Sequence, residues 1–216
     1  MSELKDFQKT FIELALQSNA LEFGKFKLKS GRDSPYFFNA AKMLNGCDLF
    51  KLANCYVDAI NDARMEFDCL YGPAYKGIFL GSIVATVLSQ RGNPCPLSFN
   101  RKEIKDHGEG GIIIGAPVRG RVLIIDDVIS AGTSINEAVS IINSHDGDAC
   151  GIIVAIDRQE KGAGDISAIQ DVSNKFNIPT LSIITLDNII EYLASQNTFK
   201  NELKFIKEYR KEYGVN

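Results

Sequence analysis

Two adjacent carboxylates, Asp126 and Asp127, follow a run of four apolar residues and precede a segment of small and hydroxyl-bearing residues. The apolar run, 122–125, is typical of a buried strand in a parallel sheet, and apolar residues recur at helical spacing after Ser134. Backbone N–H groups at the start of such a helix can bind a phosphate with help from the helix dipole. Carboxylates beside them can accept hydrogen bonds from neighbouring ribose hydroxyls. The pattern predicts a sugar-phosphate site, and a junction with solvated acids is the alternative.

A second strand-to-helix turn, Gly-Pro-Ala-Tyr-Lys-Gly at 72–77, is expected at the same edge of the sheet. Lys76 places a cation at a helix start, where the helix dipole alone disfavours it, so this lysine needs an anion. Gly72 and Gly77 are expected to let the backbone approach a ligand closely. An ordinary Gly-Pro turn is the alternative. Beside the Asp-Asp loop, this turn becomes a natural pyrophosphate site.

The segment 101–120, here called the lid loop, is long, polar and glycine-rich. Structureless loops longer than about 12–15 residues are uncommon in compact domains and usually serve as lids or binding loops. Arg101, Lys102, Lys105 and His107 could close over a pyrophosphate leaving group and exclude water. A solvated hairpin with no role in binding is the alternative.

Arg158 follows a predicted strand, 152–157, and is expected at a carboxyl end of the sheet. Its planar guanidinium can present two donors to a carboxylate or to the carbonyls of a base, although a structural salt bridge would explain it equally well. Phe37 and Phe38 lie in a predicted N-terminal hairpin, where a ring could stack on a planar base. Core packing is the alternative for both rings.

The composition sets limits on the function. The chain has 216 residues, 45% of them hydrophobic, with a net charge of −3 and a pI near 5.5, which argues against a nucleic-acid face or a polybasic membrane surface. No apolar stretch approaches the ~20 residues of a membrane span, and no signal peptide is evident, so a cytoplasmic protein is expected. Five cysteines without CxxC spacing favour reduced thiols, and two histidines exclude a His-rich metal centre.

The order of elements predicts an α/β fold with a doubly wound, mostly parallel sheet. A helix over 4–19 and a hairpin over 23–39 fall outside the β-α alternation and are expected to cap the sheet's carboxyl edge. We expect a single domain, 1–216, in which 1–65 forms the cap and first helices. The α/β core follows at 66–185 and includes the lid loop, and terminal helices complete the chain at 186–216.

These segments together resemble the orotate phosphoribosyltransferases, over nearly the whole chain. The Asp-Asp loop resembles the motif for phosphoribosyl pyrophosphate (PRPP) that all type I phosphoribosyltransferases share, so it specifies PRPP and not the base. The resemblance to the orotate enzymes depends on the other segments, namely 29–32, 34–39, 72–77, 100–103, 105–110 and 157–160.

The resemblance implies Mg²⁺-dependent transfer of ribose 5-phosphate from PRPP to N1 of orotate, with release of pyrophosphate, in pyrimidine biosynthesis. It implies Mg²⁺ held mainly through PRPP with no direct protein ligand. The implied catalytic residues are Lys105, His107 and Asp127, and the implied orotate contacts are Phe37, Phe38, Ser130 and Arg158. The implied PRPP contacts are Lys29, Tyr75, Lys76, Arg101, Lys102, Lys105, His107, Asp126, Asp127, Val128, Ile129, Ser130, Ala131, Gly132, Thr133 and Ser134. Many relatives carry Thr at position 130, and the serine keeps the hydroxyl.

The resemblance also implies a homodimer whose lid loops are shared between subunits, with no nucleic-acid or membrane partner. Two other functions remain open from the sequence. The nearer is a phosphoribosyltransferase for another base, such as a purine. The second is a PRPP-sensing regulator, against which the acidic pI, the absence of a recognisable helix-turn-helix and the complete lid sequence all weigh.

Overall fold

A computed structural model describes residues 3–28, 30–105, 111–130, 132–162 and 164–215. The strands are β1 Leu21–Lys27, β2 Asp33–Phe38, β3 Cys69–Gly72, β4 Leu97–Lys105, β5 Gly111–Gly115, β6 Gly120–Ile125, β7 Gly147–Asp157 and β8 Thr180–Thr185. The α-helices are α1 Asp6–Gln17, α2 Gly46–Asp62, α3 Lys76–Gln90, α4 Thr133–Asn143, α5 Ala168–Phe176, α6 Leu186–Ser195 and α7 Lys200–Tyr213. Short 3₁₀ turns lie at Ala40–Met43 and Asn197–Phe199.

The central sheet has six strands in the order β5-β4-β3-β6-β7-β8. Its pairs are parallel, except that β5 runs antiparallel to β4 at one edge. The predicted α/β fold with a mostly parallel, doubly wound sheet is therefore confirmed. The apolar run before Asp126 lies at the centre of this sheet, which explains why it lacks polar alternation.

The sheet changes winding direction between β3 and β6. From β3 the chain passes through α3 to β4 on one side, and from β6 it passes through α4 to β7 on the other. Ligands of open α/β sheets bind where two such neighbouring strands diverge, at their carboxyl ends. Both predicted ligand loops, 72–77 and 126–134, begin at this point.

The opposite crossovers place helices on both faces of the sheet. One core cluster joins the sheet to α1, α2, α3, α6 and the β1–β2 hairpin, and a separate cluster joins it to α4 and α5. β6 contributes to both, with Leu123 and Ile125 in the first and Val122 and Ile124 in the second. This central strand is therefore the element on which the Asp-Asp loop is anchored.

The prediction of a structureless lid loop from residue 101 to 120 was wrong in its bounds. β4 continues to Lys105, and β5 pairs antiparallel with it, from Ser98 opposite Gly115 to Lys105 opposite Gly111. The three isoleucines at 112–114 are β-branched and favour a strand, and adding this strand at the sheet edge satisfies the backbone groups of β4. Residues 106–110 lie outside the described structure.

The β1–β2 hairpin packs beside the residues that follow β7. Arg158 Nη2 donates a hydrogen bond to Ser34 Oγ at 3.0 Å, and Arg32 Nη1 donates one to the carbonyl of Lys161 at 2.7 Å. Tyr209 of α7 makes an edge contact with the Tyr36 ring, at a centroid distance of 6.2 Å. The C-terminal helix and the hairpin thus approach the carboxyl end of β7 together, although the predicted domain division remains a prediction.

Candidate active site

The Asp126–Asp127 pair remains tied to the sheet after β6 ends. The Asp126 N–H donates to the carbonyl of Ile153 at 3.1 Å, and the Asp127 carbonyl accepts from the Ala155 N–H at 2.9 Å. Both residues are buried, with exposed fractions of 7% and 4%. The acids are therefore held by the parallel ladder with β7 and do not lie on a solvated loop, which argues against the structural alternative for this motif.

The carboxyl group of Asp126 is committed to local hydrogen bonds. One oxygen accepts from the Asp127 N–H at 2.9 Å, and the other accepts from Ser134 Oγ at 3.3 Å. Burial, together with the charge of Asp127, raises the pKa of Asp126 to about 7. The carboxyl of Asp126 therefore titrates near neutral pH.

Lys76 joins the two predicted ligand loops directly. Its ammonium donates to Asp127 Oδ2 at 2.5 Å. The Asp127 side chain is 6% exposed, whereas the Lys76 side chain is 43% exposed. Asp127 is thus one anion that pairs with this lysine, as the sequence required. The exposed part of the ammonium can bind a second anion.

The two glycines of the 72–77 turn have a packing role that the sequence did not predict. A Cβ on Gly72 would lie 2.1 Å from the Gly77 carbonyl oxygen, and a Cβ on Gly77 would lie 2.8 Å from the Ile125 carbonyl oxygen. Both positions are closed by the protein's own backbone. The glycines therefore allow the start of α3 to pack against β3 and β6, and the close approach of this backbone to a ligand stays a prediction.

Asn100 holds the same turn from β4. Its side-chain oxygen accepts from the Ala74 N–H at 3.0 Å, and its amide group donates to the Arg101 carbonyl at 3.2 Å. The peptide bond between Ala74 and Tyr75 is cis. Tyr75 projects from the turn and is 74% exposed, which places its ring and the Lys76 ammonium at the open side of the site.

The start of α4 provides the predicted phosphate-binding amides. Gly132 precedes the helix at a φ of +69° and has no side chain to cap the first N–H groups. Ser130 and Thr133 are exposed beside it. The first turn of α4 thus offers backbone N–H donors and hydroxyl groups close to Asp126. One of these hydroxyls, on Ser134, already donates to the Asp126 carboxyl.

The structure places the predicted cations of the lid in different settings. Lys102 Nζ lies 3.0 Å from Glu137 Oε2 of α4, and Arg101 is half-buried on β4. The structure thus gives Lys102 an acidic partner that the sequence reading did not anticipate. The described residues do not include Lys29, His107, Ala131 or the side chain of Lys105, so these predictions stay untested.

Arg158 is held by residues of two chain segments, the one that follows β7 and strand β2. Its guanidinium contacts Glu160, with Nε donating at 2.8 Å and Nη2 at 2.6 Å, and lies 4.1 Å from the centroid of the Tyr36 ring. Tyr36 Oη in turn donates to Glu160 at 3.3 Å. The salt bridge that the sequence left as an alternative is therefore present, and it fixes the plane of the guanidinium beside Ser34.

The two predicted aromatic base contacts differ in the structure. Phe37 is 38% exposed and stacks on Phe26 at a centroid distance of 5.5 Å. Phe38 is 8% exposed, and its ring packs against Phe11 at 5.9 Å. The prediction that the Phe38 ring contacts a base is corrected, because alternate residues of a strand face opposite sides and β2 turns this ring into the core.

Three residues that support the site were not predicted to do so. Tyr56 donates from α2 to the backbone carbonyl of Asp126 at 2.8 Å, and Asn100 and Glu160 hold the groups described above. In the sequence Tyr56 reads only as part of the apolar face of a helix. Asn100 and Glu160 lie beside predicted site residues, but each also contacts a distant segment, Asn100 at Ala74 and Glu160 at Tyr36.

Within the described ranges, no three His, Cys, Asp or Glu side chains are grouped so that they could hold a metal ion. No helix in those ranges is both long and apolar enough to cross a membrane.

Comparison with known proteins places this geometry in a family. The model of the phosphoribosyl transferase domain matches residues 49–180. Orotate phosphoribosyltransferase from Marinobacter nauticus is 50% identical over 212 residues, which cover 98% of this chain and 100% of that protein. The enzyme of the same name from Nitrosomonas europaea is also 50% identical, over 98% of this chain and 93% of its own. The crystal structure of orotate phosphoribosyltransferase from Francisella tularensis superimposes with a TM-score of 0.86 at 40% identity, covering 95% of this chain and 99% of that one.

Proposed function

The chain belongs to the orotate phosphoribosyltransferase family, and we propose that it transfers ribose 5-phosphate from PRPP to N1 of orotate, giving orotidine 5′-monophosphate and pyrophosphate in pyrimidine biosynthesis. The observation that carries the proposal is the Lys76–Asp127 contact at the β3–β6 switch point. This contact brings a half-exposed cation, a buried carboxylate and the amides at the start of α4 to one crevice, as PRPP requires.

The reaction breaks the C1–O bond to the diphosphate, so positive charge develops on the ribose and negative charge on the leaving group. Asp127 and Asp126 would accept hydrogen bonds from the ribose hydroxyls, and the first turn of α4 would bind the 5′-phosphate. Lys76 would share its ammonium between Asp127 and the diphosphate. Fixed groups of this kind stabilise developing charge without having to reorganise during the reaction.

Mg²⁺ is the proposed cofactor, carried mainly by PRPP. Mg²⁺ commonly binds through one or two carboxylates, substrate phosphates and waters, rather than in a cage of protein ligands. The two buried acids beside the crevice, Asp126 and Asp127, fit a substrate that arrives with a divalent cation. When bound, the ion would neutralise charge on the departing diphosphate.

The base would lie on the hairpin side of the crevice. Arg158 faces it with a guanidinium whose plane is set by Glu160 and Tyr36, and Phe37 supplies a ring that remains half-exposed after stacking on Phe26. Ser130 would approach the base from the Asp-Asp loop. The carboxylate and ring carbonyls of orotate suit a planar, charged donor.

A homodimer with shared lid loops completes the proposal. In it the lid residues Arg101, Lys102, Lys105 and His107 contact PRPP partly across the interface, and Lys29 contacts PRPP from the hairpin. Mixing Asp127→Asn with Lys105→Ala and allowing subunit exchange should restore about a quarter of wild-type activity, because half the dimers are mixed and each has one intact site. If exchange is confirmed and activity stays at the level of the parents, the lid acts within its own subunit.

The choice of base is tested by supplying PRPP and Mg²⁺ with one base at a time. We expect consumption of orotate and formation of its nucleotide, with adenine, guanine, hypoxanthine and uracil unused. Turnover of a purine in place of orotate would support the alternative phosphoribosyltransferase. Binding of PRPP without turnover of any base would support the regulator instead.

A further inference from the structure

Tyr56 is a buried polar residue that the proposed reaction does not use. It lies on α2 with no exposed surface, and its hydroxyl donates a hydrogen bond to the backbone carbonyl of Asp126 at 2.8 Å. The contact joins residues 70 positions apart. It is made to the main chain of the Asp-Asp loop and not to either carboxylate.

The Asp126 carbonyl needs this donor because the sheet ends beside it. The last registered pair between β3 and β6 is Tyr71 with Ile124, and β3 turns away after Gly72. On the other side, β7 is already engaged by the Asp126 N–H and the Asp127 carbonyl. A buried carbonyl left without a donor is costly, so the hydroxyl replaces the missing strand partner.

The peptide group between the two acids is consequently held at both ends. Its carbonyl accepts from Tyr56, and its N–H, which belongs to Asp127, donates to the carboxyl of Asp126 at 2.9 Å. A rotation of this peptide would reorient both carboxylates at once. Its orientation is therefore the shared determinant of where Asp126 and Asp127 point.

We infer that Tyr56 is a positioning residue, which acts through this peptide to aim both carboxylates at the ribose hydroxyls of PRPP. The inference rests on the proposed function for the identity of the ligand, whereas the positioning itself concerns the unliganded protein. Burial, reinforced by the charges of Asp127 and Asp126, raises the pKa of Tyr56 well above its ordinary value. The hydroxyl thus stays protonated and able to donate throughout the neutral range.

Tyr71 offers a matched control one element away. It is equally buried, on β3, and its hydroxyl has no hydrogen-bond partner among the described residues. Replacing either tyrosine with phenylalanine removes one buried hydroxyl and keeps the ring. The two changes differ in whether a hydrogen bond to the Asp-Asp loop is lost.

The test compares Tyr56→Phe with Tyr71→Phe in steady-state kinetics. We expect Tyr56→Phe to raise the KM for PRPP about fivefold to tenfold and to leave the KM for orotate within about twofold, as loss of one buried hydrogen bond at the PRPP loop requires. Tyr71→Phe should leave both constants unchanged. An unchanged KM for PRPP in a folded Tyr56→Phe variant, or equal effects of the two substitutions, would overturn the inference.

A measurement on the unliganded protein separates this inference from the proposed reaction. Hydrogen exchange at the Asp127 amide should become about tenfold faster in Tyr56→Phe and stay unchanged in Tyr71→Phe, because the held peptide is released in the first variant alone. In the wild type, the Tyr56 hydroxyl proton should exchange more slowly than that of Tyr71, a comparison that needs no variant. Equal exchange of the two hydroxyls would contradict the positioning role, even if the protein has no activity on orotate.

Discussion

In the proposed site, the groups assigned to PRPP come mainly from one run of chain, 126–134, with Lys76 beside it. The groups assigned to the base come from segments that are distant in the sequence. Arg158 and Glu160 follow β7, Ser34 and Tyr36 come from the hairpin, and Tyr209 comes from α7. The first side rests mainly on backbone amides and two buried acids, and the second on side chains that orient one another. Single side-chain changes should therefore have distinct kinetic signatures on the two sides.

The largest effect should be on stability, through Asp126. Its carboxyl is faced by Asp127 on the same loop, Ser134 and Lys76 on the adjoining helices and Tyr56 on α2, and its folded pKa is about 7 against 3.8 for an exposed carboxyl. A raised acid pKa stabilises the fold at low pH, and the contribution is lost as the pH rises through the folded value.

Relative to Asp126→Asn, the wild type should therefore lose on the order of 4 kcal/mol of unfolding free energy between pH 4 and pH 8, at about 1.4 kcal/mol per pKa unit. Asparagine keeps the oxygen that accepts from the Asp127 N–H, so the loop should retain its conformation. Denaturant unfolding of both proteins across this range gives the difference. A difference that does not change with pH would mean that Asp126 is ionised throughout.

Asp127→Asn should lower turnover on the order of 10²-fold, the scale for one preorganised electrostatic contact. The amide keeps the shape of the side chain but loses the charge that pairs with Lys76 and the acceptor offered to ribose. Circular dichroism and thermal unfolding provide the control for folding. Near-normal turnover would show that this acid is structural.

Arg158→Lys should raise the KM for orotate by on the order of tenfold and leave the KM for PRPP unchanged. Lysine keeps a positive charge for Glu160 but lacks the planar fork. Arg121→Lys is the matched control, because Arg121 also forks onto an acid, Asp68, at the opposite end of the sheet. Similar orotate constants for the two variants would remove Arg158 from the base site.

The smallest effect should come from the hairpin rings. Phe37→Leu should raise the KM for orotate about threefold, through loss of a stacking ring worth about 0.5–1.5 kcal/mol, with little change in stability. Phe38→Leu should lower the melting temperature without changing that KM, because its ring packs on Phe11. The reverse pattern would mean that the strand presents the other ring to the base.

The contrast between the two sides also explains what could be predicted from the sequence. The segment from β6 to the start of α4 is continuous in the sequence, so its strand, its two acids and the beginning of its helix can be recognised from consecutive residues. The aromatic pair showed the limit, since strand alternation decides that one ring faces solvent, but the sequence alone did not indicate which. The roles of Tyr56 and Glu160 were not predicted, because they depend on contacts with segments far apart in the chain, Tyr56 with Asp126 and Glu160 with Tyr36.

The β4–β5 pair at the edge of the central sheet shows the same limit for the prediction of the fold. Glycine and charge at 101–111 suggested a long loop, whereas pairing with β4 turns Ile112–Ile114 into a strand. Such pairing depends on which edge is available once the sheet has formed, and that is a tertiary property.

The proposal that one crevice joins PRPP to orotate is tested most directly by stoichiometry. Purified protein would be given PRPP, Mg²⁺ and orotate, and the pyrophosphate released would be compared with the orotate consumed, for the wild type and Asp127→Asn side by side. We predict equal amounts in the wild type, no release when orotate is omitted, and both quantities reduced together in the variant. Pyrophosphate release that does not depend on orotate, or orotate consumption unaffected by Asp127→Asn, would contradict it.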